Sequence, residues 1–254
     1  MSRTEILGVP IDVLTQREAL QEIASFFTRE GKFHVATPNP EMLVEAKSNL
    51  KFREVLRKTS LNLADGIGVV WAAKRVARPS RPCDTGKMPV LQRITGIDTM
   101  TALCGSEARI CPPERVFLLG AAPGIAEQAA AVLTQRNRQL KIVGTFAGSP
   151  KKEDEEAIVR RINDVSPTLL FVAYGAPSQD LWIARNLPKL KTVKVAMSVG
   201  GAFDFIVGKQ KRAPQVLRSM GLEWLYRLMR EPRRIKRIWN AVVVFPFLVL
   251  RERL

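Results

Sequence analysis

The residue whose setting most suggests chemistry is an aspartate at a sharp turn, Asp65. It lies in the segment 61–71, LNLADGIGVVW, where a short apolar strand is followed by a turn and the start of a helix. In an open α/β sheet, ligands bind beyond the carboxyl ends of the strands, so a carboxylate there can act on a substrate. Gly66 and Gly68 carry no side chain that would block its approach. The alternative is that Asp65 only caps the helix, and the segment alone favours that common role.

A second polar turn repeats this arrangement of strand, turn and helix. The segment 37–41, TPNPE, follows an apolar run, and Pro40 is suited to the first position of the next helix. Two such turns in succession would place Thr37, Asn39 and Asp65 around one crevice. Turn formation and capping explain Thr37 and Asn39 as well, because such side chains often hydrogen-bond to nearby backbone.

Two later turns contain glycines and are candidates for binding an anion or a sugar. The segment 175–182, GAPSQDLW, follows a buried apolar run and opens a helix, so its backbone N–H groups are expected to face the crevice, where a diphosphate could bind. The segment 200–205, GGAFDF, ends the last expected strand, and Gly200 and Gly201 permit close approach to the backbone. Asp204 could accept hydrogen bonds from a sugar or a base, or cap a turn.

The elements that would position these turns alternate between strands and helices. Such alternation predicts an α/β fold with a doubly wound, mostly parallel, Rossmann-like sheet. The run from Ile6 to Ile11 predicts a strand, and Thr15 with Glu18 forms a capping-box pattern before the helix expected over 15–29. The turn 120–124 lacks the G-x-G-x-x-G pattern, so a dinucleotide site is only weakly indicated. Further strands are expected over 33–36, 115–119, 140–145, 168–174 and 193–199, and helices over 125–137 and 153–163.

Composition narrows the functional classes. The 254 residues are 46% hydrophobic and 25% charged, which is typical of a globular protein. The 40 Lys and Arg residues exceed the 24 Asp and Glu residues and give a net charge of +16, so an anionic partner is expected. Three cysteines without C-x-x-C spacing argue against a disulfide framework and a zinc site. A single histidine, His34, excludes a multi-histidine metal site, and its apolar surroundings favour a core or rim position.

Residues 209–254 differ in kind from residues 1–208, which form the expected catalytic domain. Residues 209–254 contain twelve Lys and Arg residues and three Glu residues, which gives a net charge of +9. Ala241 to Leu250 is an apolar run that includes Pro246 and is too short to span a bilayer. A basic helical appendage that lies on an anionic membrane surface is predicted. The alternatives are a core helix, contact with a second copy of the chain, and a nucleic-acid-binding face, for which no motif is present. Apolar residues recur there at helical spacing at Leu222, Trp224, Leu225, Leu228 and Met229.

Two other features bear on function and location. The segment 78–92 is rich in proline and basic residues and predicts a surface loop or insertion; its Gly86-Lys87 pair lacks the rest of a Walker A loop. The first residues lack a signal-peptide pattern, and no run of 18 apolar residues occurs, so no transmembrane helix is expected.

With these pieces placed, the chain resembles the WecG/TagA/CpsF family of bacterial glycosyltransferases. The matching stretches follow the family's order over most of the chain. One block could arise by chance, whereas seven in order hardly could. They are 37–41 (TPNPE), 64–71 (ADGIGVVW), 93–98 (RITGID), 175–182 (GAPSQDLW), 200–205 (GGAFDF), 211–214 (KRAP) and 221–234 (GLEWLYRLMREPRR).

The resemblance implies an activity and a location. It implies transfer of an N-acetylmannosamine-type sugar from a UDP-sugar to polyprenyl-diphosphate-linked N-acetylglucosamine, such as the undecaprenyl form, in cell-surface polysaccharide or teichoic acid synthesis, although the family varies in donor. The resemblance implies inversion at the anomeric centre, with no metal and no cofactor, at the cytoplasmic face of the bacterial membrane.

The resemblance also implies roles for individual residues. Asp65 matches the general base, and Thr37 a neighbour in the same pocket. An inverting transfer needs one base and a means to stabilise the departing diphosphate, which arginines and backbone N–H groups can supply without a metal. Other pocket positions match Asn39, Arg93, Gln179 and Asp204. Apart from the resemblance, Gly66, Gly200 and Gly201 are expected to bind substrate because they permit close approach to the backbone. The resemblance further implies that three arginines of the appendage close over the site and contact the donor diphosphate. They are Arg227, Arg234 and Arg237.

Two departures and two rival functions complete the expectations. Position 180 is Asp where the family usually has Glu, and matching Arg93 requires about ten inserted residues before it. One rival is a transferase of the same fold with another donor, such as UDP-glucose or a UDP-uronic acid. The other is a non-enzymatic basic protein that binds lipid or nucleic acid, which leaves the polar turns unexplained.

Overall fold

Six parallel strands form the central sheet of the computed structural model, which describes residues 2–76, 91–105, 115–210, 223–230 and 235–252 together with Pro214 and Pro232. The strand order is β4-β3-β8-β7-β5-β6, and every pairing is parallel. The predicted α/β sheet is therefore confirmed. Its strands are β3 (Phe33–Ala36), β4 (Leu61–Asn62), β5 (Val116–Gly120), β6 (Ile142–Phe146), β7 (Leu169–Ala173) and β8 (Val195–Ser198).

An N-terminal hairpin precedes the sheet. Strands β1 (Arg3–Ile6) and β2 (Val9–Asp12) pair antiparallel around a turn in which Leu7 and Gly8 both have positive φ angles, 50° and 77°. The prediction of one strand from Ile6 to Ile11 was wrong, because the chain reverses at this two-residue turn, a conformation that glycine favours. The Asp12 carboxylate accepts the backbone N–H of Asn62 at 2.8 Å, which fastens the hairpin to the sheet.

Helices connect the strands and cover both faces of the sheet. The predicted capping box at Thr15 and Glu18 is present, with the Thr15 hydroxyl accepting the Glu18 N–H. The helix that follows Arg93 begins at Gly96, where the Thr95 hydroxyl caps it by accepting the Asp98 N–H. The helices are α1 (Gln16–Thr28), α2 (Pro40–Ser48), α3 (Leu50–Lys58), α4 (Ile67–Val76), α5 (Gly96–Cys104), α6 (Ile125–Arg136), α7 (Glu155–Asp164), α8 (Ser178–Asn186) and α9 (Ala202–Ile206).

Alternate residues of each strand face opposite sides of the sheet, and helices pack on both sides, so the sheet is doubly wound. In β7, Leu169 and Phe171 belong to the core shared with α1, α5, α6 and α9, whereas Leu170 and Val172 pack with α7 and α8. A third apolar cluster joins the hairpin with α2, α3 and α4. Cys104 is buried in the first of these cores as a free thiol, and burial raises its pKa to about 12.

The carboxyl-terminal segment is helical, as predicted, and packs partly against the core. Helix α10 (Glu223–Arg230) is followed by α11 (Ile235–Trp239), a π-helical turn (Asn240–Val244) and α12 (Phe245–Arg251). Phe245 and Val249 are buried in the cluster with α2 and α4. The alternative of a core helix is therefore confirmed for this face of α12. The sequence could not show which face is buried, because an apolar run alone does not distinguish its faces.

The opposite face of the same helical segment is exposed. Trp239 and Phe247 have 59% and 60% of their surface accessible. Whether this face meets a membrane stays a prediction, and so does a domain boundary at 208/209. No helix among the described residues is long and apolar enough to cross a bilayer. The predicted surface loop lies outside the described residues except for Leu91 and Gln92.

Candidate active site

A polar cavity of about 370 Å³ lies at the carboxyl ends of β3, β4, β7 and β8. This is the edge at which open α/β sheets bind ligands. Most of the residues singled out in the sequence lie around it, and their common position follows from the parallel pairing of the strands. Those that line it are Thr37, Asn39, Asp65, Arg93, Gln179, Gly200, Gly201, Asp204 and Arg237.

Asp65 lies where three segments are joined by backbone hydrogen bonds. Its own N–H donates to the Pro38 carbonyl at 3.0 Å, and the Ile94 N–H donates to the Ala64 carbonyl at 2.9 Å. These bonds therefore hold three segments side by side: the turn with Thr37, the turn with Asp65 and the segment with Arg93. Gly66, with a φ angle of 99°, occupies the position just before α4, so Asp65 itself is not the residue that directly precedes the helix.

Thr37 and Asn39 occupy different positions on the neighbouring turn. Thr37 is buried, and its hydroxyl donates a long hydrogen bond of 3.4 Å to the Ser198 carbonyl at the end of β8. The Asn39 side-chain oxygen accepts the Met42 N–H at 2.9 Å and caps α2, so the capping role considered for Asn39 is confirmed. Its amide nitrogen takes no part in the cap and can donate to a ligand in the cavity.

Gln179 links the two glycine turns at the back of the cavity. Its side-chain oxygen accepts the N–H of Gly175 at 3.2 Å and the N–H of Gly200 at 3.0 Å. Both glycines have positive φ angles, and a side chain added at either would meet open space. The expectation that the first turn offers its N–H groups to an anion is wrong for Gly175, because Gln179 already accepts that N–H. The amide orientation is thereby fixed, with the nitrogen of Gln179 as the remaining donor.

A buried pair lies directly behind Gln179. His34 of β3 places Nε2 3.3 Å from Oδ1 of Asp180, and both side chains are buried. The core position expected for His34 is confirmed. Oδ2 of Asp180 has no hydrogen-bond partner among the described residues. Asp180 belongs to the first turn of α8, so its carboxyl group joins that turn to His34 of β3.

Positive charge reaches the cavity from two directions. Arg93 enters from the segment before α5, and Arg237 from α11. The Arg237 guanidinium forms an ion pair with the Glu41 carboxylate in the first turn of α2. This contact brings the carboxyl-terminal segment to the cavity. All of Arg234 lies outside the described part of the chain. So does the side chain of Arg227, although its backbone lies in α10.

Comparison with known proteins decides the family. The model of the WecG/TagA/CpsF glycosyl transferase family matches residues 4–254. The chain belongs to that family. Two relatives, from Staphylococcus aureus strains MRSA252 and MW2, are named N-acetylglucosaminyldiphosphoundecaprenol N-acetyl-beta-D-mannosaminyltransferase. Each is 31% identical over 254 residues, which cover 99% of this chain and 94% of the relative. As a WecG/TagA/CpsF protein, the chain is a glycosyltransferase, and the family resemblance read from the sequence is confirmed.

Sequence reasoning on this WecG/TagA/CpsF glycosyltransferase missed several cavity residues. Glu41 stood inside a matched stretch, yet only the structure reveals its ion pair with Arg237. Tyr174 lines the cavity at the end of β7, while its hydroxyl is buried without a hydrogen-bond partner among the described residues. Burial, with the nearby Asp154 charge, raises the pKa of this phenol, so it is neutral. An aromatic residue that ends a buried strand gives no distinct signal in a sequence.

Proposed function

We propose that this glycosyltransferase moves an N-acetylmannosamine-type sugar from a UDP-sugar to a polyprenyl-diphosphate-linked N-acetylglucosamine. The observation that carries the proposal is the position of Asp65, a carboxylate at the rim of a polar cavity that also contains two arginines. The names of the relatives in Staphylococcus aureus support the choice of acceptor and of transferred sugar. The donor is a nucleotide sugar, since the arginines suit a diphosphate leaving group.

The proposed reaction is a single displacement with inversion. Asp65 removes the proton from the acceptor hydroxyl, whose oxygen attacks the anomeric carbon of the donor. The bond from that carbon to the UDP oxygen breaks, and UDP leaves with the electron pair. One carboxylate suffices for this step, and a positioned general base of this kind typically contributes about 10²–10⁴ in rate.

Arg93 and Arg237 balance the charge that develops on the departing diphosphate. Charge-assisted hydrogen bonds from guanidinium groups to phosphate are among the strongest in proteins. In the proposed mechanism these two groups act without a metal ion, aided by Arg227 and Arg234 from the same carboxyl-terminal segment. Preorganised charge of this kind stabilises a transition state because it does not have to rearrange during the reaction.

The remaining polar groups are proposed to hold the sugars. Asn39 and Gln179 each have an amide nitrogen that their structural hydrogen bonds leave available. Asp204 lines the same cavity and can accept from a sugar hydroxyl or from the uracil ring. Gly200 and Gly201 allow a ligand to lie against the backbone.

The carboxyl-terminal segment is proposed to lie on the cytoplasmic face of the bacterial membrane, where the acceptor is found. Its exposed apolar side chains include Ile235, Trp239, Val243, Phe247 and Leu250. Basic residues accompany them, and the combination suits an anionic membrane surface. Because the same segment brings Arg237 to the cavity, membrane contact and completion of the site would occur together.

A screen of UDP-sugars against N-acetylglucosamine-diphosphate lipids, analysed by mass spectrometry, tests this function. We expect one N-acetylhexosamine to be added from UDP-N-acetylmannosamine, and NMR of the product to show the anomeric configuration opposite to that of the donor. Preference for UDP-glucose or a UDP-uronic acid would replace the proposed donor. Absence of transfer from every UDP-sugar would contradict the function itself.

A further inference from the structure

A second cavity, here called the apolar groove, opens directly beside the polar cavity. Its volume is about 490 Å³, and the two cavities share five residues at their junction, which are Asn39, Glu41, Asp65, Arg93 and Arg237. Away from the junction the groove is lined by apolar residues. One wall contains Pro40, Ile67 and Trp71, and the other, from the carboxyl-terminal helices, contains Ile238, Val242 and Pro246.

Two large apolar side chains in the wall of the groove are exposed. Ile67, the first residue of α4, has 53% of its surface accessible, and Trp71, one turn later, has 39%. Contiguous exposed apolar surface of this kind marks a binding site in many proteins. Both side chains lie on the same stripe of α4, since residues four apart share a helix face.

The floor of the groove depends on glycines at the start of α4. A Cβ atom added to Gly68 would lie 2.9 Å from Cγ of Pro40, and one added to Gly66 would lie 3.3 Å from its Cδ. These glycines therefore let α4 approach the start of α2 closely. As a result the apolar wall begins within the same turn that carries Asp65.

We propose that the apolar groove binds the first isoprenoid units of the lipid-linked acceptor. The inference rests on the proposed function and adds the place of the lipid chain. A ligand that lies in the apolar groove and also reaches Asp65 at the junction needs a polar head joined to an apolar chain. A UDP-sugar is polar along nearly its whole length, whereas a polyprenyl diphosphate sugar has this division. The acceptor sugar then lies toward Asp65, and the chain lies against Ile67 and Trp71. Arg93 and Arg237 remain beside the donor diphosphate in the polar cavity.

A series of acceptors that differ only in chain length tests the groove. N-acetylglucosamine diphosphate esters with methyl, prenyl, geranyl and farnesyl groups are compared in detergent, so that membrane adhesion plays no part. We expect KM to fall as the chain lengthens. In the Ile67→Ser variant the ratio of KM for the methyl ester to KM for the farnesyl ester should shrink about tenfold, the order expected when a large aliphatic contact is lost.

Leu50→Ser is the matched control. Leu50 is also the first residue of a helix, has 60% of its surface accessible, and lies outside the groove. It should keep the wild-type KM ratio. An equal loss in both variants would overturn the proposal, because it would show a general effect of surface apolarity. A wild-type KM that does not depend on chain length would also overturn it.

Direct binding separates failure of the groove from failure of the proposed function. Farnesyl diphosphate and methyl diphosphate are titrated by calorimetry into the full-length protein and into Ala241→Trp, which fills the groove from its second wall. Tighter binding of the farnesyl compound, lost in Ala241→Trp, supports the groove even if no sugar is transferred. Equal binding by both proteins overturns the proposal. Dimerisation that Ile67→Ser weakens, without a chain-length preference, would assign the groove to a second copy of the chain and overturn it as well.

Discussion

The side-chain oxygen of Gln179 accepts the backbone N–H of Gly200 at 3.0 Å and thereby connects α8 to the end of β8. The same oxygen accepts the Gly175 N–H, so one buried amide fixes two turns of the polar cavity. The shape of the cavity therefore depends on a residue that also borders it. Loss of this residue should affect both stability and activity.

Replacing Gln179 by leucine should lower the free energy of unfolding by about 2–6 kcal/mol. Two partly buried N–H groups would lose their acceptor, at about 1–3 kcal/mol each. Gln179→Glu keeps an acceptor oxygen but lacks the amide nitrogen, so it should be more stable than Gln179→Leu and still impaired in transfer. Urea denaturation and steady-state kinetics measure the two effects. A leucine variant as stable as the wild type would show that the contact does not hold the turns.

The buried pair behind Gln179 makes a separate prediction. His34→Leu leaves the buried Asp180 carboxyl group without its partner among the described residues, and should lower the free energy of unfolding by about 3 kcal/mol. Adding Asp180→Asn removes the ionisable group and should recover part of the loss, since the two residues are in contact. Denaturation of both single variants and of the double variant completes the cycle. Strictly additive losses would show that the two side chains do not interact.

Local signals in the sequence predicted much of the fold. The capping box at Thr15 and the cap at Asn39 need only three neighbouring residues, so they were readable directly. The parallel sheet followed from alternating elements, and with it the meeting of Thr37 and Asp65. The hairpin was missed because the Leu7-Gly8 turn contains a single glycine and no Asn or Asp.

Contacts between distant segments were beyond the reach of the sequence. The hydrogen bonds of Gln179 require β7 and β8 to be neighbours, and the pairing of Glu41 with Arg237 requires the last helices to fold back on α2. The run that contains Phe245 is apolar on every side, so periodicity could not separate its buried face from its exposed one. The apolar groove lies between the start of α4 and the carboxyl-terminal helices, which are distant in the sequence, so neither segment alone predicts it.

The ion pair between Glu41 and Arg237 should matter for activity and little for stability. Its side chains are 30% and 52% exposed, and exposed pairs contribute about 0–1 kcal/mol. Arg237→Gln should reduce kcat/KM at least about tenfold if the guanidinium contacts the diphosphate, since hydrogen bonds to charged groups contribute about 1.5–3 kcal/mol. Its melting temperature should stay close to that of the wild type.

Arg160→Gln is the matched control for that change. Arg160 also pairs with a glutamate, Glu156 at 3.2 Å, on the exposed face of α7, and it does not line the polar cavity. Neither its kinetics nor its melting temperature should change. Wild-type turnover in Arg237→Gln would remove this arginine from the proposed mechanism.

Metal removal tests the proposal that arginines alone balance the charge of the diphosphate. Among the described residues, no three His, Cys, Asp or Glu side chains are grouped so that they could hold a metal ion. Transfer measured after dialysis against EDTA should proceed at the untreated rate, and added Mg²⁺ or Mn²⁺ should not raise it. Loss of activity that either ion restores would contradict this part of the mechanism.

Replacement of Asp65 by asparagine tests the central claim most directly. The substitution keeps the size of the side chain and removes its capacity to accept a proton. With UDP-N-acetylmannosamine and a lipid-diphosphate-linked N-acetylglucosamine, kcat should fall by about 10²–10⁴, while the melting temperature and the affinity for the UDP-sugar remain near those of the wild type. An Asp65→Asn enzyme that turns over at the wild-type rate would contradict the assignment of Asp65 as the base.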